Sequence, residues 1–231
     1  MAKSVKKLDI YLEIGKQRTI AGVLEWPGWC RVGRDEAAAL AALLAAGPRY
    51  ATIVGRAKLA VPVPDAVEAF VVVERLKGNG TTDFGVPIMP PAGDADPIKD
   101  AEVHRLQTIL KACWRALDAA ARQAEGKTLR LGPRGGDRSL AGILEHVHGA
   151  ERGYLTSLGG VLPEKAGDEP SPAIVRKTIL ETLAASARGE VPARGPRGGK
   201  RWSPGYAARR MAWHVLDHIW EIEDRSTDAE D

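Results

Sequence analysis

The sequence predicts an α+β chain in which a small αβ module precedes a four-helix bundle. Three observations carry this. Residues 8–14 alternate apolar and polar side chains, the period of a half-buried strand. Residues 87–97 hold Pro87, Pro90, Pro91 and Pro97 together with Gly93, a run that fits neither a regular helix nor a central strand. Beyond it the texture changes to four long stretches of helical periodicity with no strand between them. The proline run is therefore expected to separate two domains, residues 1–92 and 97–231.

In the first domain, Ile10, Leu12 and Ile14 share one side of the opening strand. Residues 18–24 are expected to return as a second strand across Gly15-Lys16-Gln17. The segment Trp26-Pro27-Gly28-Trp29-Cys30 reads as a turn leading into a short third strand. Asp35 is placed to cap a helix over residues 36–46, rich in Ala and Leu, with Gly47-Pro48 expected to stop it. Residues 70–76 are β-branched and predict a strand. Gly78-Asn79-Gly80 is expected to turn the chain toward residues 81–86.

In the second domain, Val103, Leu106, Ile109, Leu110, Cys113, Trp114 and Leu117 recur at helical spacing, predicting a first helix over about residues 98–123 that Gly126 ends. A second is expected over about 139–157, after the glycine-rich residues 132–136. Ser171-Pro172 and Ser203-Pro204 each place a capping hydroxyl before proline at the first helical position. They predict a third helix ending near Gly189 and a fourth ending near Arg225. Four such helices make a bundle.

The fourth helix carries the chemistry. His214 and His218 are four residues apart, so both rings leave the same face with Cβ atoms about 5–6 Å apart. Neutral imidazole is the commonest metal ligand in proteins, and ligands must converge from about this separation. Glu221 and Arg225 fall on the same stripe, while Met211, Val215 and Ile222 lie beside it and face a core. Asp217 and Glu221 are the nearest acids, and either can hold the free N–H of a ligand histidine. Two histidines seldom suffice for a zinc-like ion, so a third ligand is required. The second helix offers His146 and His148, flanking a stripe of Leu140, Ile143, Leu144, Val147 and Tyr154 from opposite sides. Periodicity leaves open which of them joins. Arg194, Arg197, Lys200 and Arg201 lie in the loop before the fourth helix, where they would either meet an anionic substrate or be solvated. His104 receives no role.

Composition narrows the classes. The 231 residues are 44% hydrophobic and 27% charged, ordinary for a globular protein. A net charge of +3 gives no electrostatic signature of a nucleic-acid partner. Cys30 and Cys113 stand far apart, with no CxxC spacing, and fit a reducing compartment. The basic N-terminus is followed by no apolar signal-peptide core, and no run of about 20 apolar residues is recognised. The expectation is a soluble, cytoplasmic protein with no membrane partner.

Two resemblances add to this. Trp26-Pro27-Gly28-Trp29-Cys30 and Gly33-Arg34-Asp35-Glu36-Ala37-Ala38-Ala39-Leu40, with the strands before them, resemble the N-terminal part of HicB-type antitoxins over residues 8–46. That implies an αβ module over residues 1–92 used for protein contact, although no DNA-binding helix pair is attached. In the second half, Asp137-x-Ser139-Leu140-x-x-Ile143-Leu144 and His146-Val147-x-x-Ala150-Glu151, with the closing His214-x-x-x-His218, are similar to the DinB/YfiT-like bundle family. This resemblance covers about residues 97–226. It implies a three-histidine site for a divalent metal (zinc, nickel or manganese) on His146, His214 and His218, with His148 left over. It implies a metal-dependent enzyme acting on a small molecule, either a transferase using a low-molecular-weight thiol or a hydrolase. It also implies pairing into a homodimer, for which six tryptophans are a supply of interface anchors. The alternative function is a non-enzymatic binding or regulatory protein working through the HicB-like module. No catalytic residue is assigned beyond Asp217 and Glu221 as supports of the ligands.

Overall fold

The computed structural model describes residues 7–132, 138–163 and 170–227; of the sequence motifs, Asp137 and the glycines at 135 and 136 lie outside the described residues. The chain is mixed α+β and divides into two compact units, Met1–Asp96 and Pro97–Asp231.

The first unit is a four-stranded sheet with one long helix. β1 (Leu8–Ile14), β2 (Thr19–Val23) and β3 (Cys30–Gly33) form an antiparallel meander; α1 (Glu36–Gly55) then crosses to β4 (Phe70–Lys77), which pairs parallel to β1. The sheet order is β3-β2-β1-β4. Leu8, Ile10 and Leu12 are buried as the alternation predicts, while Ile14 is exposed. Tyr11 and Glu13, on the opposite face, are buried too, so both faces of β1 are covered.

The helix does not stop at Gly47-Pro48. Asp35 caps it, accepting from Ala38 N at 2.8 Å, and it continues for two further turns past the proline. A proline inside a helix costs about 3 kcal/mol. Tyr50, Ile53 and Val54, all buried beyond it, each return roughly 1.5–3 kcal/mol. Gly47 is where Trp29 packs: a Cβ there would meet the indole at 2.8 Å. Trp29 stacks on Tyr50 at 5.5 Å, its Nε1 donates to the Leu43 carbonyl, and Tyr50 donates to the Pro27 carbonyl. Tertiary packing thus overrides the local stop signal. The continued helix also corrects the reading that no segment has the length and apolarity of a membrane span: α1 has both, at 20 residues and a mean hydropathy of 1.4. Its apolar face, with Leu43, Tyr50 and Val54, is buried inside the unit.

Asn79 caps a single helical turn, α2 (Gly80–Asp83), through a reciprocal capping box with Thr82. Thr82 Oγ1 in turn donates to the buried carboxylate of Glu13 at 2.5 Å, which also accepts from Ile88 N and Met89 N at 3.0 and 3.1 Å. Glu74 accepts from Ala92 N. The proline-rich segment is therefore pinned to the first unit as far as Ala92.

The second unit contains α3 (Asp100–Ala124), α4 (Leu140–Leu158), α5 (Pro172–Ala187) and α6 (Pro204–Arg225). α3 packs chiefly on α6, and α4 packs on both α5 and α6. Ser139 and Ser203 cap α4 and α6 through their hydroxyls. Gly159, at φ +98°, closes α4 in the left-handed conformation, its N–H bonded to the Leu155 and Thr156 carbonyls. The expectation of no strand in this half is corrected by a two-residue antiparallel ladder, β5 (Thr128–Leu129) with β6 (Ser226–Thr227). It is too short for any periodicity, and it ties the segment after α3 to the end of α6. Five of the six tryptophans, at 26, 29, 114, 213 and 220, are buried within the chain, which removes them as interface anchors.

Candidate metal centre

α6 is the most buried of the bundle helices. Met211, Val215, Leu216, Ile219 and Ile222 lie in the core, and His214 and His218 are themselves only 6% and 7% exposed. α4 brings His146 against them. The ring centroids of His214 and His218 are 4.7 Å apart, and His146 lies 5.1 and 5.0 Å from them. One nitrogen from each ring lies within 4.8 Å of the others, a grouping able to hold a metal ion. His146 remains exposed, so the cluster opens to solvent on the α4 side.

The donor set fits a divalent cation. His214 Nε2 and His146 Nε2 stand 3.2 Å apart. Two ligand nitrogens on one tetrahedral ion, with bonds of ~2.0–2.1 Å, would stand about 3.3 Å apart. Glu221 Oε2 accepts from His218 Nδ1 at 2.7 Å, which leaves His218 Nε2 as the free lone pair. His214 Nδ1 is buried without a hydrogen-bond partner among the described residues. Burial pushes the His214 imidazole down to about 2, and His218, Arg210 and His146 add to this. Burial also lowers His146, with His218 the next cause. Both rings are therefore neutral, with lone pairs available, near neutral pH.

A short chain of charge orients the cluster. Glu221, one turn past His218, is held down to about 2, first by the hydrogen bond from His218 and then by Arg225. Arg225 is 4% exposed. It donates to Glu221 Oε1 at 2.6 Å and to the carbonyls of Arg130 and Arg138 at 2.7 and 3.0 Å. The stripe of His214, His218, Glu221 and Arg225 read from the helix period is thus a connected network. Of the two acids nearest the histidines on this helix, Glu221 is the one that holds a histidine of the cluster; Asp217 is half-buried.

His148 points elsewhere. The charges that act on it are Arg176, Asp118 and Arg152, and it has no place in the three-histidine group. Arg176 bridges Glu151 at 3.3 Å and Asp118 at 3.0 Å. Glu151, 1% exposed, is pushed up to about 7 by burial, against the pull of Arg176. This corrects the core stripe of α4. The buried positions are Ile143, Val147, Glu151, Leu155 and Leu158, while Leu140, Leu144 and Tyr154 are half-buried. Glu151 occupies the seam because Arg176 supplies its counter-charge there, a pairing on another helix that spacing along α4 cannot reveal. Tyr154 turns instead toward the histidines, its ring edge-on to His214 at 5.5 Å and against Trp202 at 5.3 Å.

The basic loop before α6 is partly committed to itself. Arg194 donates to the Gly198 carbonyl at 2.7 Å and Arg201 to the Pro192 carbonyl at 3.2 Å, whereas Arg197 and Lys200 are exposed. The cation beside the cluster is one the sequence reading passed over, Arg210. Its signal was present: it stands four residues before His214, on the stripe that runs through His218. Compared with family models, curated proteins and solved structures, the chain matches none of them.

Proposed function

We propose that the second unit is a DinB-like metal-dependent enzyme in which His146, His214 and His218 hold one divalent ion (zinc, nickel or manganese). The single observation that supports it most is the convergence of three ring nitrogens, two of them 3.2 Å apart, from helices far apart in sequence. When bound, such an ion would leave a coordination position open and favour the deprotonated form of a water or thiol there. The protein's own part is to keep His214 neutral by burial, to lower His146 by partial desolvation and the neighbouring His218, and to fix the tautomer of His218 through Glu221. Arg225 in turn keeps Glu221 ionised. The reading extends to a small substrate, either hydrolysed or joined to a low-molecular-weight thiol, and to a homodimer. Metal analysis of untagged protein tests it, with sedimentation for the dimer. Protein that holds no divalent metal, and does not melt higher on adding zinc, nickel or manganese, refutes it.

A second reading concerns the first unit. Its order of three strands, helix and fourth strand supports a HicB-like contact module. On that reading the chain has a stable protein partner and no turnover. A pull-down with the full chain that recovers no specific partner counts against it.

A further inference from the structure

Arg210 lies one turn before His214 on α6, so the two side chains are neighbours on one helix face. Its guanidinium lies between two rings, 4.5 Å from the centroid of Trp213 and 5.5 Å from that of Tyr154. The same Tyr154 ring meets His214, so the arginine and the histidine cluster share a wall. Stacking on aromatic faces holds a guanidinium in place while leaving its N–H groups unused. Here Nε and Nη1 are buried, and among the described residues they have no hydrogen-bond partner and no carboxylate pairs with the guanidinium. Two other arginines of the unit have carboxylate partners among the described residues: half-buried Arg176 with Glu151 and Asp118, and buried Arg225 with Glu221. Buried guanidinium nitrogens without an acceptor are unfavourable in a finished core, so a cation left in that state beside an open cluster points to a ligand that completes it. The residue as a whole is half-buried, so part of it stays open to solvent.

We propose that Arg210 is the anion anchor of this site, taking the carboxylate of a small substrate whose reacting end reaches the three histidines. The inference rests on the metal-centre reading for what happens at the far end of the substrate, and on Arg210 alone for the anchor. A carboxylate fits better than a phosphate dianion because one planar guanidinium balances one planar monoanion. The rings that flank it fix the guanidinium before the ligand arrives, so little side-chain freedom is lost on binding.

The test titrates pyruvate, its neutral analogue pyruvamide and inorganic phosphate into wild-type protein and into Arg210→Lys, Arg210→Gln and Arg210→Met. Each is prepared metal-free and reloaded with zinc, with metal content and melting temperature read beside affinity. Wild type is expected to prefer pyruvate over both competitors. Arg210→Gln and Arg210→Met are expected to lose about tenfold or more in pyruvate affinity while keeping zinc, and Arg210→Lys to keep part of it. Arg210→Met is expected to melt no lower than wild type, since an apolar chain replaces an unpaired charge between rings. Unchanged pyruvate binding in the variants, equal binding of pyruvamide, tighter binding of phosphate, or no pyruvate binding by wild type each overturns the anchor. If wild type takes up no zinc, the metal reading fails separately, and the wild-type preference for pyruvate over pyruvamide in the metal-free protein decides the anchor. That preference also decides it if the variants do not fold.

Discussion

The sharpest test of the metal centre uses the two histidines of α4 as a pair. His146 and His148 are chemically identical and two residues apart, yet one contributes to the cluster and the other lies among Arg176, Asp118 and Arg152. Replacing His146 by Ala removes one of three nitrogens. With metal present at a hundred times the wild-type dissociation constant, binding stabilises the folded state by about 2.7 kcal/mol. If losing one ligand weakens binding about 100-fold, the same concentration gives only about 0.4 kcal/mol. For a unit the size of Pro97–Asp231, where 1 kcal/mol moves the melting temperature by roughly 3–4 °C, the metal-induced shift falls from about 8–11 °C to about 1–2 °C. His214→Ala and His218→Ala are expected to do the same. His148→Ala keeps the full shift and changes the metal-free stability by on the order of 0.5 kcal/mol. Thermal melts with and without zinc, nickel or manganese, alongside metal analysis, measure this. A His148→Ala protein that loses the shift, or a His146→Ala protein that keeps it, refutes the assignment.

Other predictions concern the groups around the cluster. Glu221→Gln removes the carboxylate that holds His218 and is expected to weaken metal binding about 10–100-fold, read by competition with a chelator; unchanged affinity shows that His218 needs no such support. In the metal-free protein, His214 takes its proton near pH 6.5 when unfolded but only near about 2 when folded. Acid therefore favours unfolding across that window, by ~1.4 kcal/mol per pH unit at full slope. Glu151, raised from 4.5 to about 7, works the other way between those values, because the folded state binds the extra proton. The two offset each other between about pH 6.5 and 4.5, and below pH 4.5 Glu221, which protonates in the unfolded chain but stays ionised in the folded one down to about 2, steepens the fall. Glu151→Gln is thus expected to expose a steeper loss between pH 6.5 and 4.5 in urea denaturation, by on the order of 1 kcal/mol per pH unit; parallel curves in that window refute the argument. Glu13→Leu strands the donors of Thr82, Ile88 and Met89 and should cost roughly 2–5 kcal/mol in chemical denaturation, more than a typical surface change.

Much was legible before any coordinates. Alternation marked β1, caps and prolines marked the starts of α5 and α6, and the four-residue step placed His214, His218, Glu221 and Arg225 on one face. These are properties of a single element, and a single element's period reveals them. What the period could not reveal was set by partners distant in the chain. α1 runs through Gly47-Pro48 because Trp29 packs against that glycine and Tyr50 buries beyond it. The segment after β4 folds as a capped turn because Glu13 is there to receive Thr82. Glu151 lies in the seam of α4 because Arg176 reaches it from α5. Helical phase showed that His146 and His148 diverge, but only the packing of α4 against α6 decided which of them meets His214. Arg210 was visible only as one more charge on a helix. Its half-burial between two rings, with no carboxylate partner among the described residues, is a fact of the assembled bundle, because burial and pairing are relations between elements that no local pattern records.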